Sequence, residues 1–291
     1  MDWVNTIVSG ILLGGLYSLF AVGLSLVFGT MRLVNLAHGD LTVLPAYVAL
    51  LMVGSAGRFN PLYAIPLTMV VMFGFGYLLQ RGLLNRVVLK GDIIGVIVTF
   101  GLSMVIMNAL QQGFTANSQG LDAGKIENLS ITVTDQFAIG WLPLLIFLLA
   151  IVVITALQLY MGHTKMGRAF RAVSDDTDAA RLMGINTKHV WAVAMAVALL
   201  VVSIGGVIMG IRTTFSPLLG TDRLIFAFEA VIIGGMGSLW GTFVGGIVLG
   251  VAQLIGAKVF GSPFQHLVGH LVFIAILAFR PQGFLAKTVT K

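Results

Sequence analysis

The sequence lacks cysteine entirely and carries very little charge. None of its 291 residues is Cys, which excludes disulfide bridges and thiolate metal sites. Only 10% of the chain is Asp, Glu, Lys or Arg, whereas soluble globular proteins average about 25%. Because 58% of the residues are hydrophobic, the composition excludes a soluble domain and indicates a protein that lies in a membrane.

Long stretches without any Asp, Glu, Lys or Arg predict membrane-spanning helices. These stretches are 3–31, 59–80, 136–164, 189–211 and 259–279. Each is long enough for the ~20 apolar residues that a helix needs to cross a bilayer. The spans must be helical, because lipid offers no hydrogen-bond partner to an exposed backbone group.

We therefore predict an all-α, polytopic transmembrane helical bundle that forms one domain over residues 1–291. Its eight to nine membrane segments are placed at 4–29, 38–54, 61–80, 92–112, 141–161, 190–211, 222–236, 240–257 and 263–279. The segments 222–236 and 240–257 could instead be one long broken helix, interrupted by GGMGSLWG at 234–241.

The distribution of cations favours nine segments and sets the orientation. With nine, twelve of the 17 Lys and Arg residues lie on one side of the membrane. The other side keeps only Arg58, Lys125, Arg212, Arg223 and Lys258. Loops rich in Lys and Arg are retained in the cytoplasm, so we predict an external N-terminus, an external loop at 113–140 and a cytoplasmic loop at 162–190. These basic loops explain the pI of about 9.8, so no nucleic-acid partner is expected.

The cytoplasmic loop has the pattern of a short amphipathic helix. DAARLMGIN (178–186) predicts about eight helical residues within 176–185, with Asp175 as N-cap and Asp178 as a capping-box acid. Gly184 is the expected terminator. The apolar face consists of Ala179, Leu182 and Met183. A helix this short is marginal in water, so that face must dock on the bundle or on another protein.

Several segments together resemble a known family. They are GGLYSLFAVGLSLVFG (14–29), VNLAHGDLTVLPAY (34–47), TKMGRAFRAVSDDTDAARLMGI (164–185), AVIIGGMGSLWGTFVGGIVLG (230–250) and FRPQGF (279–284). In this order they resemble the permeases of high-affinity branched-chain amino acid importers powered by ATP-binding-cassette ATPases, most nearly the H-type subunit. Pro45 departs from the pattern, which has glycine at that position.

The resemblance implies a bacterial inner-membrane permease with the importer permease fold. Its implied partners are a homologous second permease, two cytoplasmic ATPase subunits, an external solute-binding protein and membrane lipid. ATP would be bound by the partners, so no cofactor is expected in this chain. We expect no enzymatic activity, and the sequence has no G-x-x-x-x-G-K-[ST] phosphate loop. The residues expected to couple to the ATPase are Gly167, Arg168, Arg171, Asp178, Ala179, Leu182, Met183 and Gly184.

Polar residues within the apolar segments are candidates for the translocation path, because they are costly in a membrane unless paired or wet. The candidates are Asn35, His38, Gly39, Asp40, Thr99, Ser103, Asn108 and Glu229. Hydrogen bonds between helices would explain most of them equally well, and Glu229 could pair with Arg223 or Arg212.

Two further patterns are assigned to packing. Gly237, Gly241 and Gly245 are four residues apart and predict a close approach of helices. His266 and His270 could ligate a metal only with an added carboxylate, and none is near in sequence. We therefore predict no metal site.

Other transporter classes remain as alternatives. An ion-coupled secondary transporter usually places coupling acids near the membrane midplane, and a passive channel for urea or ammonia would need no docking helix. Within the importer class, urea, short amides or small carboxylates are alternatives to branched-chain amino acids. The sequence does not reveal the solute, or whether the permeases pair as a heterodimer or a homodimer.

Overall fold

The computed structural model describes residues 2–54, 60–124, 129–134 and 137–285. Four cations that entered the predicted topology lie outside these residues: Arg58, Lys125, Lys287 and Lys291. The described α-helices are α1 (Asp2–Met31), α2 (His38–Val53), α3 (Ile65–Gly82), α4 (Asp92–Phe114), α5 (Trp141–His163), α6 (Lys165–Asp175), α7 (Thr177–Leu182), α8 (Thr187–Arg212), α9 (Gly220–Gly234), α10 (Leu239–Phe260) and α11 (Gln265–Phe279). Two strands, β1 (Ser130–Thr134) and β2 (Phe137–Gly140), precede α5.

The polytopic all-α bundle is confirmed. Among the described residues, seven helical stretches are long and apolar enough to cross a membrane: α1, α4, α5, α8 and α10, together with α3 and its flanking turns (Pro61–Arg86) and α11 and the turn before it (Ser262–Phe279). Helices α2 and α9 have only 16 and 15 residues. At 1.5 Å per residue each spans roughly 22–24 Å, less than the ~30 Å of a bilayer's hydrocarbon core.

Both helices also begin inside the bundle, since His38 in the first turn of α2 bonds to Phe20 within α1 and Gly39 lies against Gly220 of α9, so we call α2 and α9 half-helices. The segments 32–37 and 213–219, which precede them, are not α-helical. Such irregular backbone is tolerated at membrane depth only when protein covers it. The predicted segments 38–54 and 222–236 agree closely with the two helices, but the sequence alone does not show that both helices begin inside the bundle.

The core of the bundle is formed by α1 and α8. The most apolar 18-residue windows of these two helices are 83% and 89% buried, against 22% for α3 and for α4 and 6% for the α11 region. The outer helices therefore carry large apolar faces that the chain itself does not cover. Lipid or another subunit must cover them.

Glycines bring α10 close to two neighbours at once. On one side a Cβ added to Gly250 would lie only 2.7 Å from the backbone nitrogen of Gly14 in α1. On the opposite side a Cβ on Gly245 would lie 2.9 Å from the backbone nitrogen of Gly234 in α9. Gly237, predicted to belong to the same stripe, has φ +82° and lies in the turn between α9 and α10.

Several distant segments converge at one end of the bundle. The Phe284 amide donates to the Ile233 carbonyl over 2.9 Å, beside the α9–α10 turn. The Ser174 hydroxyl, in the predicted cytoplasmic loop, donates to the carbonyl of Gly29 at the end of α1, and Gly237 lies against the same glycine. The chain's C-terminal segment thus lies on the same side as the loop, as the nine-segment topology requires.

The opposite end carries the predicted external loop, 113–140. Strands β1 and β2 form an antiparallel hairpin within it. Gln119 and Phe215 exchange two backbone hydrogen bonds of 2.8 Å, and the Leu121 amide donates to the Gly210 carbonyl over 2.8 Å. Part of this loop is therefore fixed to the end of α8.

Candidate coupling loop and translocation path

The predicted cytoplasmic loop begins with a helix, α6, that was not predicted from the sequence. The Thr164 hydroxyl caps it by accepting from the Gly167 amide over 2.9 Å. Phe170 and Val173, three residues apart, are buried against the bundle. A threonine three residues before a glycine, followed by an apolar pair at helical spacing, is the signal that could have revealed it.

Helix α7 has six residues and not the predicted eight. Its N-cap is Asp176, whose Oδ1 accepts from the amides of Asp178 and Ala179, both over 2.9 Å. The assignment of Asp175 as N-cap is wrong, because that residue is the last of α6 and the chain turns one position later. Gly184 has the left-handed conformation expected of a terminator, with φ +81°.

The apolar face of α7 is left in solvent. Leu182 is 89% exposed and Met183 is 83% exposed, and Ala179 and Asp178 are exposed as well. The helix is seated on the bundle through Ala180, which is buried. Two large apolar side chains are therefore exposed at the end of a short helix, and this chain does not cover them.

Contacts with α8 hold α7 in place. Arg181 donates from Nε to the Thr187 hydroxyl over 3.2 Å, and its guanidinium lies 5.9 Å from the centroid of the Trp191 ring. The Ile185 amide donates to the Ala180 carbonyl over 3.0 Å. The sequence analysis did not single out Arg181. It is the only cation in DAARLMGIN, which is the signal that could have drawn attention to it.

Contacts with α5 hold α6 in place. Gly167 lies directly on the backbone of Met161, where an added Cβ would be 2.5 Å from the Met161 Cα. Arg171 donates to the Met161 carbonyl, whereas Arg168 is exposed. Of the predicted coupling residues, Gly167 and Arg171 therefore shape the loop, whereas Leu182 and Met183 form its open surface.

The candidates at the start of α2 lie where two half-helices meet end to end. In this half-helix junction, defined as residues 35–40 together with Gly220, the first turn of α2 abuts the first residue of α9. A Cβ on Gly220 would lie 2.7 Å from the carboxyl carbon of Asp40. Ser103 of α4 donates to Asp40 Oδ2 over 2.5 Å. The buried carboxyl group thus lies at the N-terminal, positive ends of two helix dipoles, where a negative charge is stabilised.

The remaining polar residues of the junction bond to neighbouring backbone. His38 is fully buried, and its Nε2 donates to the Phe20 carbonyl of α1 over 2.9 Å. The Thr99 hydroxyl of α4 accepts from the Leu36 amide over 3.1 Å. The Asn35 side chain accepts from the Ala37 amide over 3.1 Å.

Asn108 is separate from this group. It is exposed on α4 and donates to the Met104 carbonyl of its own helix over 2.7 Å. The structure therefore brings Thr99 and Ser103 to the junction with the α2 residues and leaves Asn108 on the outer surface of the bundle.

Glu229 pairs with a histidine and not with an arginine. It is 3% exposed, and its Oε1 lies 2.5 Å from His270 Nδ1. Six residues on an α-helix correspond to about 240° of rotation, so Glu229 and Arg223 face different directions on α9. His266 and His270 both lie against the Phe226 ring, with centroids 5.2 and 6.0 Å apart respectively.

A cavity of about 480 Å³ lies between α1, α8, α9, α10 and α11. Its lining includes Tyr17, Arg212, Asp222, Arg223 and His270. From the sequence, the two arginines were predicted to be external cations and possible partners of Glu229, not residues of a cavity. Two arginines that flank a segment containing Pro217 and Gly220, between two apolar helices, are the pattern that could have identified them.

The match to known proteins covers nearly the whole chain. The family described as "Branched-chain amino acid transport system / permease component" matches residues 6–278. This chain belongs to that family. The permease has seven helices able to cross a membrane among its described residues, in agreement with the predicted multi-pass protein of the bacterial inner membrane.

Individual relatives of the permease are similar over almost their full length. The high-affinity branched-chain amino acid transport system permease protein BraD of Pseudomonas aeruginosa is 27% identical, over 98% of this chain and 96% of that protein. LivH of Escherichia coli strain K12, with the same description, is 27% identical over 96% of this chain and 94% of its own. The ribose import permease protein RbsC of Escherichia coli strain K12 is 27% identical over 88% of this chain and 79% of its own. No solved structure matches the chain.

Proposed function

We propose that this permease is the membrane subunit of an ATP-binding-cassette importer for branched-chain amino acids, and that α7 is the element through which the ATPase drives it. The substrate is supported by the similarity to BraD and LivH over nearly the whole chain. The single observation that carries the coupling role is the open apolar surface of α7, Leu182 and Met183.

The expected assembly follows from the family. A second, homologous permease completes the translocation path, two cytoplasmic ATPase subunits bind ATP, and an external solute-binding protein delivers the amino acid. The uncovered apolar faces of α3, α4 and α11 are available for the second permease and for lipid. This chain contributes no cofactor and no catalytic group, so its work is to bind partners and to change conformation.

The mechanism requires a rigid connection between α7 and the spanning helices. Closure of the ATPase dimer pushes on Leu182 and Met183. Because Arg181 is bonded to Thr187 at the start of α8, the displacement passes to a helix at the centre of the bundle. Inverting the preference between outward and inward states takes several kcal/mol of differential binding, which a loosely held loop would dissipate.

The half-helix junction has a supporting role in this proposal. Asp40, His38 and Thr99 are buried and hydrogen-bonded to other parts of the chain. They therefore fix two half-helices beside the path and do not contact the solute. Gly39, Asn35 and Ser103 belong to the same unit, whereas Asn108 does not.

The test is to replace Leu182 and Met183 together by serine in the reconstituted transporter. Because both side chains are exposed, the unfolding free energy of the permease alone should change by about 0.5 kcal/mol or less. Loss of the apolar contact should abolish stimulation of the ATPase by the permease and the solute-binding protein, and ATP-driven leucine uptake with it.

Met236 provides the matched control. It is an exposed methionine, 49% accessible, in the α9–α10 turn at the same end of the bundle. Met236→Ser removes a similar exposed apolar group from outside α7 and should leave stimulation intact. Full ATPase stimulation and uptake by the Leu182 and Met183 double variant would show that α7 is not the docking element.

A further inference from the structure

The cavity between α1, α8, α9, α10 and α11 contains two cations that the protein does not neutralise. Within the described residues, no carboxylate lies within 4.0 Å of the guanidinium of Arg212 or Arg223. Nη1 of Arg212 and Nε of Arg223 are buried and have no hydrogen-bond acceptor. Unpaired cations at membrane depth are costly and typically mark a ligand or ion pathway.

The cavity lies in the outer half of the bundle. Arg212 is the last residue of α8, which starts at the cytoplasmic end with Thr187, so it is about 38 Å from that end. Gln265 and His266 in the first turn of α11 also line the cavity. A solute released on the external side would therefore reach this space first.

The rest of the lining comprises an apolar wall, one acid and the polar side chains of Tyr17, Thr213, Gln265, His266 and His270. Leu13, Leu16, Ile225 and Leu254 provide an apolar wall, and Asp222 provides a carboxylate. Arg223 and Asp222 are adjacent on α9 but make no ion pair. Glu229 is not among the residues that line the cavity, and its Oε1 is paired with His270. The lining thus offers two cations, one acid and an apolar surface in about 480 Å³, within the usual size range of small-ligand sites.

We infer that this cavity is a binding site for a free α-amino acid with an apolar side chain, whose carboxylate is held by Arg212 and Arg223. Guanidinium groups bind carboxylates with charge-assisted, often bidentate hydrogen bonds. Asp222 binds the ammonium group of the ligand. Leu13, Leu16, Ile225 and Leu254 of the cavity pack against the ligand's aliphatic side chain. The inference rests on the proposed function, since it names the group by which the transported solute is recognised.

Three probes that share one carbon skeleton test the site on the unmodified, purified permease. L-Leucine has both charged groups, 4-methylpentanoate lacks the ammonium, and leucinamide lacks the carboxylate. A ligand that binds only the folded state raises its thermal unfolding temperature. We expect leucine to give the largest increase, 4-methylpentanoate a smaller one and leucinamide none. An increase with leucinamide equal to that with leucine would overturn the inference.

Substitutions assign the effect to the arginines. Arg212→Gln and Arg223→Gln should each weaken leucine binding about tenfold or more, the loss expected for a charge-assisted hydrogen bond. Lys258→Gln is the matched control, because Lys258 is an outer-side cation that lies over the Trp3 ring, 4.6 Å from its centroid, and not in the cavity. Unchanged leucine affinity in both arginine variants would also overturn the inference.

An anionic lipid headgroup offers the same chemistry as a carboxylate and is distinguished by the membrane used. In vesicles of phosphatidylcholine alone, the leucine effect should persist, and added phosphatidylglycerol should not abolish it. If phosphatidylglycerol alone stabilises the permease through Arg212 and Arg223 and leucine does not, the site belongs to lipid.

Failure of the site and failure of the proposed function give different results. ATP-driven leucine uptake with normal affinity in the arginine variants would remove the site and leave the importer function. Leucine binding without ATP-driven uptake, in a complete assembly, would leave the site and remove the importer function.

Discussion

The half-helix junction and the α7 surface differ in how far the rest of the chain covers their side chains. At the junction, Asp40 is 5% exposed and His38 is fully buried, and both are bonded to other helices of the same chain. At α7, Leu182 and Met183 are 89% and 83% exposed. The junction is covered by this chain, although Asn35 Nδ2 and His38 Nδ1 have no hydrogen-bond partner, whereas the apolar side chains at α7 are not covered by this chain.

This difference predicts whether a substitution changes mainly the stability of the permease or mainly its transport activity. A change in the junction alters contacts within the folded permease, so it should alter stability before it alters transport. A change on α7 removes contacts that form only in the assembly, so it should alter transport and leave stability unchanged.

Gly39→Ala should have the largest effect. A Cβ at this position would be 2.8 Å from the backbone carbonyl carbon of Gly220 and closer still to its oxygen, and backbone cannot move aside as a flexible side chain can. Overpacking of this kind costs about 1–3 kcal/mol, occasionally more. We expect a marked decrease in the thermal unfolding temperature of the detergent-purified permease, or loss of folded protein.

Gly74→Ala is the control for that experiment. Gly74 lies within α3, where an added Cβ would meet nothing within 4 Å, so alanine should be neutral or slightly stabilising in this helix. A wild-type unfolding temperature for Gly39→Ala would show that α2 and α9 are not in the close contact described. The junction would then not be covered by the chain any better than the α7 surface is.

The sequence predicted the outer features of the fold better than its interior. The stretches without charged residues located the long helices, because apolar character over about 20 successive residues decides whether a segment enters the bilayer. The distribution of cations placed the C-terminal segment and the cytoplasmic loop on one side, and contacts of Phe284 and Ser174 agree. Gly184 was predicted to be left-handed because glycine is the residue that adopts this conformation at a helix end.

Tertiary contacts explain what the sequence did not predict. The start of α2 deep in the bundle depends on Thr99 and Ser103 supplying hydrogen bonds from α4, more than 60 residues away along the chain. The pairing of Glu229 with His270 depends on α9 and α11 lying side by side. The cavity around Arg212 and Arg223 is formed by five helices, and no local pattern encodes such an arrangement.

Gly184→Val tests the other side of the comparison. A left-handed conformation costs a residue with a Cβ roughly 1–2 kcal/mol, and more when it is branched, although an added Cβ would meet nothing within 4 Å. The strain should displace Leu182 and Met183, so ATPase stimulation and leucine uptake should fall at least about tenfold while the protein stays in the membrane.

Gly54→Val is the matched control, because it introduces similar backbone strain at a glycine outside the α7 region. Gly54 has φ +71° and equally open surroundings, but it follows α2 at the opposite end of the bundle. It should retain stimulation. If both valine variants lost stimulation equally, backbone strain in general and not the position of α7 would explain the loss.

The smallest effect should separate two acids on one helix. Glu229→Gln weakens a buried pair with His270, which should lower stability by about 1–2 kcal/mol, with no change in the preference of the permease for leucine over leucinamide.

Asp222→Asn should do the reverse, because Asp222 is exposed and lines the cavity: stability should stay within about 0.5 kcal/mol, and leucine should bind more weakly. Parallel unfolding and binding measurements on the two variants would decide the matter. A change in leucine preference in Glu229→Gln would place Glu229 in the solute site, and the division between residues that complete the fold and residues that await another molecule would fail on α9.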